Sequence, residues 1–97
     1  MEPILSPRSE ADLQSIWNYI ADHSPSNADH FIAELLVVAQ RLSDFPRIGR
    51  ARPRLRRGVR SFPHGNYVVL YEIIGDRVRI LAFVNGARRI TRRLLDQ

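Results

Sequence analysis

Residues 67–84 read YVVLYEIIGDRVRILAFV. Tyr67 to Ile74 is dense in β-branched and aromatic side chains, the composition of a strand. Gly75-Asp76 follows, a two-residue connection with glycine first, the order a type II′ hairpin turn requires. Arg77 to Val84 resumes the apolar run, and Gly86 ends it. Upstream, Val59-Arg60-Ser61-Phe62 alternates as a half-buried strand does, and Pro63-His64-Gly65-Asn66 is turn chemistry. Three antiparallel strands in a meander are therefore expected over the second half of the chain.

The first half carries a different period. Leu13, Ile16, Trp17 and Ile20 recur at helical spacing, with Asp12, Gln14, Ser15 and Asn18 on the other side. Ser6-Pro7 is a cap followed by a proline at the first helical position. Ser9 with Asp12 offers a second start one turn later. This helix is expected to end near His23. Ser24-Pro25 repeats the cap-and-proline signal, so a second helix begins almost at once. Phe31, Leu35, Val38, Leu42 and Phe45 form its stripe, widened by Ile32, Leu36 and Ala39, and Pro46 stops it. So short a connection forces the helices into an antiparallel hairpin. Ile4-Leu5, ahead of both, fits a short edge strand.

Helices and strands thus segregate along the chain, which makes the class α+β. The expected architecture is a short N-terminal strand, a two-helix hairpin and a C-terminal three-stranded meander, in one domain spanning residues 1–97. Residues 46–57 read PRIGRARPRLRR, a loop with six arginines, and the tail 86–97 carries four more. Simple alternation puts Val78, Ile80, Ala82 and Val84 on one face of the last strand. Leu81 and Phe83 then fall on the other with the tyrosines. An open antiparallel sheet usually has one polar face. A second apolar face is expected to be covered by another protein, in preference to the arginine loop or the tail folding back.

All fifteen cations are arginine and the net charge is +5. The lack of lysine is put down to the base composition of the gene. A basic surface favours nucleic acid or an acidic protein. There is no cysteine, so neither a disulfide framework nor a thiolate metal site is available. The three histidines have no metal-ligand spacing, and no cofactor is expected. The N-terminus does not read as a signal peptide, and the longest apolar stretch, Tyr67 to Tyr71, is far too short to span a bilayer. A cytoplasmic protein without membrane contact is expected.

Several short motifs carry a resemblance along nearly the whole chain. They are Asp12-Leu13, Ile16-Trp17-Asn18-Tyr19-Ile20, Ala28-Asp29, Phe31-Ile32, Leu42, Phe45-Pro46, Gly49-Arg50, Arg60-Ser61-Phe62-Pro63, Gly65-Asn66-Tyr67, Leu70-Tyr71 and Gly86-Ala87-Arg88. In this order and spacing they resemble the ParE branch of the RelE/ParE toxin superfamily. The resemblance implies a type II toxin that acts on DNA gyrase, traps it with cleaved DNA and is not itself a nuclease. It implies a ParD-like antitoxin, whose acidic C-terminal segment fills a groove on the toxin and whose other end binds operator DNA. Toxin and antitoxin would form a hetero-oligomer. Many relatives carry histidine just before the Gly-Ala-Arg element; here Asn85 stands there.

Candidate residues follow from these two lines. Arg60, Tyr67, Tyr71, Arg79, Leu81 and Phe83 are the candidates for the antitoxin surface. Arg88, Arg89, Ile90, Arg92, Arg93 and Leu94 are the candidates for the target. Ile90, Leu94 and Leu95 lie at helical spacing, so a short amphipathic segment could dock in a groove. Arg60 and Arg79 serve equally well as solvated strand residues, Trp17 is most simply core, and His64 a solvated turn residue. The rival is a RelE-like, ribosome-dependent, metal-free mRNA endonuclease, for which Arg60, Tyr71, Arg79 and Arg88 would be the catalytic set. A third possibility is an antitoxin-binding module with no toxicity.

Overall fold

A computed structural model of the 97-residue chain describes residues 1–96. Its elements are β1 (Ile4–Leu5), α1 (Pro7–Ala21), α2 (Pro25–Asp44), β2 (Arg50–Ala51), β3 (Val59–His64), β4 (Tyr67–Ile74), β5 (Arg77–Asn85) and α3 (Arg92–Leu95). The sheet has five strands in the order β1-β5-β4-β3-β2. The class is the α+β expected, with one strand more. That strand, β2, lies inside the arginine loop and pairs antiparallel with β3 through Arg50↔Ser61 and Ala51↔Arg60. Two residues are too few for a period to reveal. Ile4-Leu5 is the expected edge strand, parallel to β5.

Both helix starts obey the cap signals. Ser6 Oγ accepts from Ser9 N at 3.0 Å, so α1 begins at the first of the two candidate caps. Ser24 Oγ accepts from Asn27 N at 3.2 Å. The helices pack on each other, and α1 packs on β5. Ile16, Leu35, Val38, Ala39 and Leu42 meet Val69, Tyr71, Val78, Ile80 and Phe83 of the sheet in one core. Trp17 is not a core residue. It is half-buried, and its indole N–H donates to Asp29 Oδ1 at 2.8 Å, tying α1 to α2. The expected turn at 63–66 shrinks to Gly65-Asn66, because Pro63 and His64 belong to β3. Pro63 is tolerated there since β2 pairs only with residues 60 and 61, leaving the strand an open edge beyond them. Gly65 and Gly75 have φ of 57° and 60° at the first turn position, while no other residue type has positive φ. That matches the type II′ pattern.

A β-bulge overturns the expected faces of β5. Leu70 pairs with Ala82, but Tyr71 pairs with Ile80, so Leu81 is the extra residue. One inserted residue reverses the side on which every later side chain falls. Val78 and Ile80 face the helices, as does Phe83 beyond the bulge. Leu81, Ala82 and Val84 face the other way.

Two backbone groups of β5 at and beyond the bulge, where β1 no longer pairs, are taken up by the start of α1. Ser6 Oγ donates to Leu81 O at 3.0 Å, and Asp12 Oδ2 accepts from Phe83 N at 3.0 Å. Arg8 holds the same Asp12 oxygen at 3.5 Å and donates to Leu94 O at 2.6 Å. Asp12→Ala is therefore expected to lower stability by about 2 kcal/mol, because a part-buried N–H loses its acceptor and Arg8 its counterion. Asp12→Asn, which keeps an acceptor oxygen, is expected to lose about half of that. Thermal melts of the two variants check the order, and equal losses would refute it.

The second apolar face is covered by the chain itself. Leu55 from the arginine loop and Leu94 from α3 join Val59, Leu70, Leu81, Ala82 and Val84 in a second core, with Ile90 and Leu95 packed at its margin. Leu94 is only 2% exposed. The expectation that another protein covers this face is replaced by the loop and tail folding back. Alternation along β4 and β5 reports an apolar face but not which segment seals it.

Candidate functional site

Leu55 and Leu94, 39 positions apart, are drawn to the same face of the sheet by their hydrophobic side chains. Their arginine-rich flanks come with them. Ile90 lines a groove of about 600 Å³ together with Arg50, Ala51, Arg52, Pro53, Arg54 and Leu55. Arg52 donates to Ser61 Oγ at 3.2 Å. Arg56 and Arg79 reach Glu72 at 3.4 and 3.6 Å. This side of the molecule is basic.

The helix side has a different character. Tyr71 is fully buried, and its hydroxyl donates to Pro46 O at 2.7 Å and accepts from Gly49 N at 2.9 Å. Burial raises its pKa above the ordinary 10.0; the Gly49 N–H and the charge of Arg60 pull it back only in part. Arg60, the cross-strand partner of Tyr71, donates to Gly49 O at 2.7 Å. Both residues thus hold the segment that leaves α2.

Along the outer side of α2, apolar side chains stay in solvent. Val37 is 68% exposed and Phe45 61%, with Leu36, Ile48 and Ile73 also exposed. Two shallow grooves lie along this helix. One, of about 470 Å³, lies between α2 and β3 and is lined by Glu34, Val37, Val38, Arg41, Phe62, Pro63 and His64. The other, of about 550 Å³, lies at the C-terminal end of α2, against Phe45, Ile48, Ile73 and the Gly75 turn. Across the first, His64 Nε2 meets Glu34 Oε1 at 2.9 Å, and Phe31 packs between the rings of His64 and Tyr67. His64 is therefore tethered to α2 and is not a free turn residue.

Residues 4–90 match the family model described as the ParE toxin of the type II toxin-antitoxin system parDE. The chain belongs to the ParE toxin family. Toxin ParE1 of Mycobacterium tuberculosis (strain H37Rv) is 34% identical over 83 residues, which cover 80% of this chain and 85% of that one. Toxin ParE3 of Caulobacter vibrioides is 42% identical over 57 residues, covering 59% and 57% of the two chains. Among solved structures, a chain of the chromosomal ParDE TA system from P. aeruginosa superposes with a TM-score of 0.73 at 20% identity, over 88% of this chain and 95% of that one. At that identity the likeness speaks for the fold.

Within this ParE-family fold the six residues expected to line one antitoxin groove split between two faces. Arg60, Tyr67, Tyr71 and Phe83 lie on the helix side, Tyr71 and Phe83 buried; Arg79 and Leu81 lie on the other. The bulge at Leu81 is the physical reason. The set weighed for RNA cleavage does not gather either. Tyr71 is sealed on the helix side, Arg79 is paired with Glu72 on the opposite face, and Arg88 stands in the tail. Of the target candidates, Arg88, Arg89, Arg92 and Arg93 are exposed, whereas Leu94 is core and Ile90 half-buried.

Sequence reasoning missed Asp12, Glu34 and the exposed Val37, Phe45, Ile48 and Ile73. Phe45 was legible as apolar, but only the paths of α2 and of the 46–49 segment leave it outside. Among the described residues no group of three His, Asp or Glu is placed to hold a metal ion. No helix among them is long and apolar enough to cross a membrane.

Proposed function

We propose that this protein is the toxin of a type II pair that inhibits DNA gyrase without catalysis of its own, and that a ParD-like antitoxin neutralises it. Membership of the ParE toxin family over residues 4–90 carries the reading. The dispersal of Arg60, Tyr71, Arg79 and Arg88 supports it against the nuclease alternative, since general acid–base chemistry needs its groups within reach of one substrate. Tyr71 already spends its hydroxyl on Pro46 and Gly49.

The antitoxin is assigned to the helix side. Its C-terminal segment, disordered when free, lays apolar side chains along the α2 grooves, over Val37, Phe45, Ile48 and Ile73, with Arg60 and Tyr67 at the margin. An exposed apolar stripe of this kind marks an interaction surface. Operator DNA is bound through the antitoxin's other end. The compartment is the cytoplasm, where gyrase works. The exposed tail arginines, Arg88, Arg89, Arg92 and Arg93, are assigned to the gyrase–DNA target.

Purified, antitoxin-free protein added to gyrase, relaxed plasmid and ATP is expected to abolish supercoiling. Linear DNA should appear after denaturation and protease digestion. Unchanged supercoiling with a folded protein would overturn the reading. Inhibition of a translation extract under the same conditions would transfer the target to the ribosome.

A further inference from the structure

The groove where loop meets tail is lined by three arginines, Arg50, Arg52 and Arg54. Its lining contains arginines and small or apolar residues, but no carboxylate and no aromatic ring. The groove at the end of α2, by contrast, mixes Asp44 and Asp76 with Arg47 and Arg77. Arg50, Arg54 and Arg57 of the loop are exposed and make no ion pair among the described residues. The same holds for Arg88 and Arg89, which immediately precede Ile90 in the groove wall. Arg50 and Arg54 line the groove, and Arg57, Arg88 and Arg89 each stand within two positions of a lining residue, Leu55 or Ile90, so five free guanidinium groups adjoin walls that the second core brings together.

We infer that this loop-and-tail surface is a binding site for the phosphate backbone of duplex DNA, carried by the toxin chain itself. Guanidinium groups pair two-pronged with phosphate oxygens and stay charged at any working pH. A phosphate-rich partner fits a groove with no carboxylate to repel it. The missing aromatics decide between duplex and single strand. Single-strand binders stack unpaired bases on aromatic side chains, and here Phe31, Phe62, Tyr67, Tyr71 and Phe83 all belong to the helix side. What remains is backbone contact, which positions a duplex without reading its sequence. The site is separate from operator recognition by an antitoxin. It also stands without the gyrase reading, because it is tested on this chain and DNA alone.

The experiment is fluorescence anisotropy of a labelled 20-base-pair duplex with the full chain, titrated between 50 and 200 mM salt. Contact with about five phosphates predicts a log–log salt slope of about −4.5, a loss of affinity of roughly 500-fold over that range. Arg54→Ser in the loop and Arg89→Ser in the tail should each make the slope shallower by about 1, and the double variant by about 2. Ser15→Glu, on the exposed face of α1, changes the net charge by the same unit and should leave the slope unchanged. An equal response to Ser15→Glu would reduce the effect to net charge and overturn the site. So would a tail variant with the wild-type slope, since the site needs both segments. Tighter binding of a single strand of the same length overturns the duplex assignment. Displacement of the duplex by a polyglutamate peptide of matched charge would reassign the surface to an acidic protein.

Discussion

Gly49→Ala is expected to lower stability by about 3 kcal/mol, the combined cost of overpacking and of two strained hydrogen bonds. For a domain of this size that is a fall of about 15 °C in melting temperature. Gly49 is glycine for want of room and not for a left-handed backbone. A β-carbon there would lie 2.3 Å from the Tyr71 hydroxyl oxygen and 2.6 Å from its ring carbon Cε1. Tyr71 is fully buried between α2 and the sheet and has nowhere to retreat. Relief must come from moving the 46–50 segment, and that breaks the bonds to Pro46 O and Gly49 N together.

Tyr71→Phe separates the two effects. It removes the hydroxyl without adding volume, leaves Gly49 N–H without its acceptor, and is expected to lose about 1–2 kcal/mol. It also changes the alkaline limb. Tyr71 has a folded-state pKa raised above 10.0 by burial. Its share of stability is thus complete below the unfolded-state value and lost as pH rises through the higher folded-state value. Denaturant melts between pH 9 and pH 11 should show a steeper decline for wild type than for Tyr71→Phe. Identical slopes would mean the phenol is not the group that titrates.

Leu94→Ala is expected to lower stability by about 3 kcal/mol, because it empties a site that neighbouring side chains fill only in part. Leu94 seals the second core against Leu55, Leu81 and Val84, and its carbonyl is held by Arg8. The consequence reaches the design of toxicity experiments. Removal of residues 87–97 would strip the cover from the rear of the sheet and expose Leu70, Leu81 and Val84. Loss of activity in such a truncation would report unfolding as readily as a missing target contact. Arg88→Ser and Arg89→Ser, both exposed, test the target role with the core intact. Leu94→Ala should melt at least 10 °C below wild type, by the usual scaling for so small a domain, while the arginine variants stay within about 2 °C. A Leu94→Ala protein as stable as wild type would show that the tail does not seal the sheet.

Much of the fold was legible in the residues. Ser6-Pro7 and Ser24-Pro25 mark the two helix starts, and the 31–35–38–42 spacing sets the buried side of α2. Gly75-Asp76 marks the last hairpin. These signals are local: a cap, a missing N–H, a period of 3.6 or 2. The family motifs were legible too, since they sit where those elements require them. The candidate sites were less so. Alternation puts Phe83 and Leu81 on one face because it assumes an unbroken strand, and a bulge leaves no mark in composition.

Local signals in the residues are thus enough for the class of fold, the order of its helices and main strands, the family, and the abundance of arginine. Long-range packing is what makes Leu81 interrupt β5, Tyr71 and Arg60 clamp the exit of α2, and Leu55 and Leu94 close the second face. The same packing brings Ile90 of the tail into one groove with the loop arginines and leaves Val37 and Phe45 in solvent. The reason is physical. Caps and periods act between residues a few positions apart, whereas the covering of an apolar face is a competition among distant segments. Its winner is set by shape and buried area.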